Sequence, residues 1–289
     1  MRLLGAELLK LRRRLATYVV LGLLLGIMAL IYLVLGLTGR GEMGPAGLAL
    51  LTFPDAYAIL AQFVFGLGSL LAVAYAAAVA GAEWNWGVLR NVISRGESRA
   101  LYIVIKGVAL ALVFAIGVLI AYGAGMLMIY AAAAVAGISA GNPLSSTGLR
   151  QLTDSLVLGY PVLIERAAIG FAVAVLLKSQ LAGVVVGIAL YIGESILAGI
   201  MLVISFAGRF TPGEGMDLTP VGPDWYQYLP FSIGDSVLAA VAPSSATGDL
   251  EEMIQRPVPL EQAFVGVLIY LAVAVVLSVV AVQRQEINA

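Results

Sequence analysis

The chain has 289 residues and a formal net charge of −1, and 61% of its residues are hydrophobic while only 11% are charged. Soluble domains have about 45–50% apolar and about 25% charged residues, so a soluble fold could not bury this much apolar surface. The near-neutral charge gives no global electrostatic support for binding nucleic acid. The absence of cysteine and histidine excludes disulfides, thiolate chemistry, and the commonest metal ligand and general base.

Apolar segments recur that are long enough to cross a hydrocarbon core of about 30 Å, which takes roughly 20 helical residues. The first of them is too long for a signal peptide, so we expect a retained helix. We therefore predict an all-α polytopic membrane protein with six transmembrane helices in one domain over residues 1–289. The third segment is long enough that it either tilts or extends beyond the bilayer. The predicted spans are 17–37, 57–81, 106–136, 155–177, 181–206 and 262–282.

The basic residues are distributed unevenly between the two sides that six spans define. Eleven lie on the side of the two termini and four on the opposite side. By the positive-inside rule the basic side is cytoplasmic, so we expect both termini inside the cell and the long loop over 207–261 outside. Residues 229–241 of that loop are apolar enough for a short helix at or dipping into the outer interface, although a packed lid of soluble structure is the alternative.

Residues 1–16 combine leucines at helical spacing with a basic face. This pattern predicts an amphipathic interfacial helix whose leucines enter the acyl boundary while its basic side chains contact anionic lipid headgroups. A basic flank that only sets the orientation is the alternative. The apolar face is formed by Leu4, Leu8, Leu11 and Leu15, and the polar face by Glu7, Lys10 and Arg14.

The connection over 82–105 has an ordered composition. It opens with an acid, continues with two tryptophans and a short amphipathic helix, breaks at a glycine, and returns through spaced basic residues. A loop that only sets topology would need the charges but not this order. We therefore predict a docking element for a partner protein.

Three features make the chain resemble the permease subunits of the ABC-2 family of ABC transporters. They are the sequence AELLKLRRR before the first span, the six spans with a large segment before the last, and a residue pattern in the second connection. Val88 departs from the family, which often has threonine there. The pattern consists of Glu83, Gly87, Leu89, Arg90, Arg95, Ser98, Arg99 and Lys106.

The resemblance implies that 82–105 forms a cytoplasmic coupling helix in a cleft of a separate ABC ATPase subunit, which would bind ATP and Mg. It also implies a second permease copy or a related permease facing this one, in a bacterial or archaeal plasma membrane. The expected ATPase-docking residues are Glu83, Trp84, Gly87, Leu89, Arg90, Arg95, Ser98 and Arg99.

The chain contains no G-x-x-x-x-G-K-[ST] phosphate loop, so we expect no nucleotide hydrolysis, cofactor or metal in this subunit. We expect the transmembrane subunit of an ATP-driven exporter, and the aliphatic, aromatic and small residues of the spans suit an amphipathic or lipid-like substrate. Two alternatives remain open. One is a membrane scaffold or sensor that docks a partner other than an ATPase, and the other is an intramembrane enzyme, for which the spans offer no catalytic set.

Three charged residues, Glu165, Arg166 and Glu194, lie well inside the apolar segments, where a charge costs about 2.5–3.5 kcal/mol. Arg166 and Glu194 lie about 20 and 22 Å from the turn at Ser179, so we predict an ion pair between them. The pair either braces two helices or lines a substrate path. We expect Glu165 to face the outer interface or a subunit boundary.

The second and fifth spans line the substrate path in the ABC-2 family, which makes their polar residues candidates for a path or an interface. Small residues at small-xxx-small spacing, Gly22 with Gly26 and Gly183 with Gly187, make the first and fifth spans candidates for a dimer seam. The polar candidates are Tyr57, Gln62, Tyr75, Tyr191 and Ser195.

Overall fold

The computed structural model describes residues 2–39, 45–85, 98–207, 210–211, 215–216, 224–240 and 258–284. Within these ranges the chain is almost entirely helical. A π-helical segment over Gln62–Leu67 joins α4 to α5, and a 3-10 helix over Asp224–Tyr228 precedes α9. A ribbon of two short antiparallel strands, β1 (Phe210–Thr211) and β2 (Gly215–Met216), follows α8. The helices are α1 (Arg2–Arg13), α2 (Leu15–Thr38), α3 (Pro45–Ala49), α4 (Ala56–Ala61), α5 (Gly68–Asn85), α6 (Arg99–Ala136), α7 (Ser146–Leu177), α8 (Gln180–Ala207), α9 (Pro230–Ala239) and α10 (Leu260–Gln283).

Six helical stretches in the described part of the chain are long and apolar enough to cross a membrane. They correspond one to one with the six predicted spans. The prediction of an all-α polytopic membrane protein is therefore confirmed. The stretches are Leu15–Thr38, Ala56–Glu83, Arg99–Ala136, Ser146–Leu177, Gln180–Met201 and Leu260–Gln283.

Two spans are longer than the hydrophobic segments that predicted them. Helix α6 has 38 residues, which is about 57 Å at roughly 1.5 Å per residue and nearly twice a hydrocarbon core of about 30 Å. Helix α7 begins at Ser146, nine residues before the predicted start at 155. Its start is set by Ser145, whose hydroxyl accepts a hydrogen bond from the Gly148 amide at 3.1 Å.

The centre of the bundle is formed by α5 and α7, which run parallel and pack closely. A Cβ atom on Gly170 would lie 2.5 Å from the Val73 carbonyl oxygen, and one on Gly81 would lie 2.3 Å from the Cα atom of Gln180 in α8. Small residues thus allow the backbones of α5, α7 and α8 to approach. The outer faces of α2, α8 and α10 expose apolar side chains, as lipid-facing helices do.

The glycines of the two predicted seams differ in surroundings. A Cβ atom on Gly183 would lie 2.4 Å from the Ala174 side chain, and one on Gly187 would lie 3.1 Å from Val73, so both glycines serve packing within the chain. Gly22 and Gly26 face open space. A dimer seam along the first span stays a prediction. In α8, Gly183 and Gly187 are already covered by other residues of the same chain.

Helix α1 is shorter than the predicted amphipathic segment. It ends at Arg13, and Leu15 begins α2 with 76% of its surface exposed. Leu11 is buried, and Leu4 and Leu8 pack against the same core. Leu4, Leu8 and Leu11 therefore share one face as predicted, but that face packs against the protein core. Leu15 does not belong to it, because the chain turns between Leu11 and Leu15.

Two predicted loop elements are described in part. Helix α5 continues to Asn85, so the segment 82–105 begins as helix, but the side chain of Trp84 and all of Gly87, Leu89, Arg90 and Arg95 lie outside the described residues. In the second loop, α9 (Pro230–Ala239) lies within the predicted stretch 229–241.

Together, α1 and the adjoining ends of α2, α5 and α6 form what we call the α1 end of the bundle, and α9 lies toward the opposite end.

Candidate functional site

Charged side chains from three helices meet at the α1 end. Lys106 of α6 forms an ion pair with Glu83 of α5, and its Nζ lies 3.8 Å from Oε2 of Glu7 in α1. The Tyr102 hydroxyl donates to Oε2 of Glu83 at 2.6 Å, and Lys10 Nζ lies 2.5 Å from Oε1 of Glu7. We call these five residues the Lys106 cluster.

Four members of the Lys106 cluster are buried although three of these carry charge, and the fifth, Lys10, has a side chain that is 49% exposed. Glu7 is 3%, Glu83 is 7% and Lys106 is 1% exposed. Two carboxylates and two ammonium groups balance, and buried charges are tolerated only when they are paired and hydrogen-bonded in this way. Removal of Lys106 would leave two buried carboxylates with Lys10 alone.

The Lys106 cluster connects the helices on the two sides of the predicted docking segment. Glu83 lies two residues before the end of α5, and Lys106 lies in the second turn of α6. The cluster therefore ties the helix that enters the predicted docking segment to the helix that leaves it, and ties both to α1.

Three members of the cluster were predicted to have other roles. Glu7 was placed on the polar face of the N-terminal helix, yet it is buried and faces Lys106. Glu83 was expected to contact an ATPase, but its carboxylate points into the protein and is satisfied there. Lys106 was expected as a cytoplasmic basic residue and as the last member of the ABC-2 pattern. The sequence did contain a signal for the Glu83–Lys106 pair. An acid ends the second span and a base begins the third, and the ends of successive spans on one side of the membrane lie near each other.

A second contact fastens α1 and α2 to α5. The Thr17 hydroxyl lies 2.6 Å from the Tyr75 hydroxyl and donates to the Leu11 carbonyl at 2.6 Å. Tyr75, predicted as a path or interface residue, thus fixes the junction of the first two helices.

Arg166 forms a second buried cluster deeper in the bundle. Its guanidinium donates to Oδ1 of Asp235 at 2.6 Å and to the carbonyls of Phe231 and Phe65 at 2.9 and 3.1 Å. Its Cζ atom lies 5.5 Å from the centre of the Tyr191 ring. Arg166 is fully buried, whereas the Asp235 side chain is 62% exposed. The arginine therefore connects the interior of the bundle to the solvent-accessible face of α9.

The π-helical segment supplies backbone acceptors to the Arg166 cluster. Arg166 donates to Phe65, and the Tyr191 hydroxyl donates to the Gly66 carbonyl at 3.2 Å. A π-helix shifts the usual hydrogen-bond ladder by one residue and so turns carbonyls toward other partners, which is why such segments recur at functional sites.

The predicted ion pair between Arg166 and Glu194 is wrong. Arg166 pairs with Asp235, and Oε1 of Glu194 accepts a hydrogen bond from the Ser232 amide at 2.6 Å in the first turn of α9. Helix α9 enters the space between α7 and α8, and its free amides and positive N-terminal end attract the glutamate. The missed signal was the acid at 235 within an apolar stretch already predicted to dip toward the membrane.

Glu165 also departs from expectation. It was predicted to face the outer interface or a subunit boundary, yet it is 0% exposed within the single chain. Neither of its carboxylate oxygens has a hydrogen-bond partner among the described residues.

The remaining predicted side chains make local contacts. The Tyr57 hydroxyl donates to the Pro143 carbonyl at 3.1 Å, and the Ser195 hydroxyl donates to the Tyr191 carbonyl of its own helix. Gln62 is exposed in the π-helical segment. Ser98 caps α6, since its hydroxyl accepts from the Leu101 amide at 3.5 Å, and Arg99 is the first residue of that helix. Roles in a path or at an ATPase stay predictions.

No family model matches the chain, and no curated protein matches it. Among the described residues no group of three His, Cys, Asp or Glu side chains is arranged to hold a metal ion.

Proposed function

We propose that this protein is the transmembrane subunit of an ATP-driven transporter of the ABC-2 type, and that a separate ATPase subunit docks on residues 83–99. The observation that carries the proposal is the Lys106 cluster. It joins the two helices on either side of the predicted docking segment and fastens both to α1.

The rigidity of this arrangement supports a coupling role. A segment held between two braced helices transmits displacement, whereas a loose loop would absorb it. Helix α6 adds length, because its 38 residues continue from the docking segment through the bundle without interruption. A movement imposed at residue 99 would reach the far end of the same helix.

In this proposal the partner subunit binds ATP and Mg, and this chain contributes half of a pair of permeases. Transport runs outward, and the cargo is amphipathic or lipid-like, in keeping with the apolar surfaces of the spans. Glu83 acts by holding the docking segment in position, and the contacts to the ATPase come from the residues that follow it.

A membrane scaffold or sensor would also use a docking segment flanked by braced helices, so the test must separate binding from coupling. The test co-expresses the chain with a candidate ABC ATPase and reconstitutes the purified complex in proteoliposomes. The wild-type complex is expected to hydrolyse ATP and to move a lipid-like probe only when both subunits and ATP are present.

Two variants make the test specific. Replacement of 86–97 by a Gly/Ser linker should abolish co-purification, and the pair Lys106→Met with Glu83→Leu should keep the ATPase bound but uncouple hydrolysis from transport. The matched control removes the exposed Arg150–Asp154 pair on α7. It should leave both the co-purification of the ATPase and the coupling of hydrolysis to transport unchanged. Co-purification that survives the linker would refute docking at this segment, and docking without ATP-dependent flux would favour the scaffold.

A further inference from the structure

A cavity of about 400 Å³ lies between α2, α5 and α6 beneath α1. Its walls are almost entirely aliphatic or aromatic, and its polar groups are concentrated where α1 passes over it. It is separate from both buried ion clusters. Representative wall residues are Leu24, Val64, Leu71, Phe114, Val118 and Leu163.

The cavity opens sideways between α2 and α6. Tyr18, Ile116 and Ile120 line it and are also 56%, 59% and 45% exposed on the surface of the bundle. Because these helices span a membrane, the opening faces hydrocarbon. An apolar cavity does not hold ordered water, and an empty one forfeits the dispersion contacts of its lining atoms.

The dimensions of the cavity indicate what fills it. Its lining on the second span, from Val64 in the π-helical segment to Tyr75 in α5, is about 16 Å long along the helix axis, which is half of a hydrocarbon core of about 30 Å. A slot of about 400 Å³ over that length is long, narrow and apolar, which suits one extended hydrocarbon chain of a lipid.

The charge at the mouth indicates the headgroup. Arg12 of α1 lines the cavity at its polar end, where Tyr18 adds a hydroxyl group. Arg13 directly follows and is exposed, but it does not line the cavity. Guanidinium groups bind phosphate oxygens through two parallel hydrogen bonds.

We propose that this cavity binds an anionic phospholipid of the surrounding membrane, with one acyl chain between α2, α5 and α6 and its phosphate at Arg12. The bound chain fills the space beneath α1 and so supports the helix that carries Glu7. This inference does not depend on an ATPase or on transport.

The test uses the full chain in nanodiscs of phosphatidylcholine that contain phosphatidylglycerol with a diazirine on one acyl chain. After irradiation and proteolysis, cross-links are expected to concentrate on the cavity walls of α2, α5 and α6. Labelling spread evenly over the exposed faces of α8 and α10 would overturn the proposal, as would a cross-link between two copies at these residues. This map needs no variant.

Two variants with matched controls sharpen the result. Gly117 lines the cavity, and a Cβ atom added to it would have nothing within 4 Å. Gly117→Phe should therefore fill the cavity and abolish labelling of its walls. Gly123→Phe is the control, because Gly123 lies on the same helix with equally open surroundings but outside the cavity.

Arg12→Gln should weaken the preference for phosphatidylglycerol over equally labelled phosphatidylcholine roughly five-fold, as expected for one basic residue near anionic lipid. Arg13→Gln is its control. Wall labelling that persists in Gly117→Phe would overturn the acyl-chain site. Equal labelling by both lipids in the wild-type chain would overturn the anionic headgroup.

Discussion

Individual charged residues in this protein are stabilised by partners from other helices. Lys106 and Arg166 are both almost fully buried, and each contacts a carboxylate that lies far away in the sequence. A paired charge in the interior contributes little net stability, but the loss of one partner costs the desolvation of the other. The two clusters therefore predict large and specific effects of single substitutions.

Lys106→Met is expected to lower the free energy of unfolding by about 3–5 kcal/mol, because it leaves Glu7 and Glu83 buried near each other without their shared cation. Adding Glu7→Gln and Glu83→Gln should recover most of the loss. Unfolding in detergent, followed by circular dichroism, measures both effects. Lys178→Met is the control, since Lys178 is exposed, and an equal loss in that control would contradict the role of the cluster.

Asp235→Ala is expected to cost about 1.5–3 kcal/mol, as for a hydrogen bond to a charged group, because Arg166 stays buried without its carboxylate. Asp154→Ala removes the acid of an exposed pair, whose N–O distance is 3.7 Å, and should cost less than about 1 kcal/mol. The same unfolding assay compares them. Equal costs would show that Asp235 is not the counterion on which Arg166 depends.

At the scale of helices, close backbone approach determines how α5, α7 and α8 pack. Gly170→Ala would place a methyl group 2.5 Å from the Val73 carbonyl oxygen, and backbone cannot move aside as a flexible side chain can. We expect a loss of about 1–3 kcal/mol from overpacking.

Gly193→Ala is the matched control for Gly170→Ala. Both glycines lie inside long helices, but a Cβ atom on Gly193 meets nothing within 4 Å. That substitution should be neutral or stabilise by about 0.5–1 kcal/mol, because alanine is the better helix former. Thermal unfolding of the two variants measures the difference, and a stable Gly170→Ala protein would disprove the close approach.

Helix α9 shows how one short element changes the environment of others. By entering between α7 and α8 it provides Asp235 to Arg166 and an amide to Glu194. The π-helical segment provides carbonyls from the opposite side. Arg166 thus joins three elements that are separated by long stretches of chain.

For the whole molecule, the assigned orientation predicts on which side of the membrane each end of α7 lies. Lys178 lies in the turn between α7 and α8, and Arg150 lies near the start of α7, so they are on opposite sides of the membrane. If the basic side is inside, a membrane-impermeant maleimide should label Arg150→Cys in intact cells and Lys178→Cys only after lysis. The natural chain has no cysteine, so each signal belongs to one site. The reverse pattern would invert the assigned orientation.

The sequence by itself determined the spans and the class of fold, because hydrophobic length is a local property that a membrane of fixed thickness requires. It also determined the short helix of the second loop, since apolar residues between turn-forming segments are visible locally. The ends of α6 and α7 were less well predicted, because polar helical turns outside the hydrocarbon lack the apolar signal.

Only the tertiary structure decided which charges pair. Glu194 lies at the predicted depth near Arg166, but α9 brings Asp235 closer, and no local pattern reports where a distant helix inserts. The inward turn of Glu83 and Lys106 and the cavity beneath α1 have the same origin. They depend on the relative placement of three helices, which is fixed by packing across the whole chain rather than by neighbouring residues.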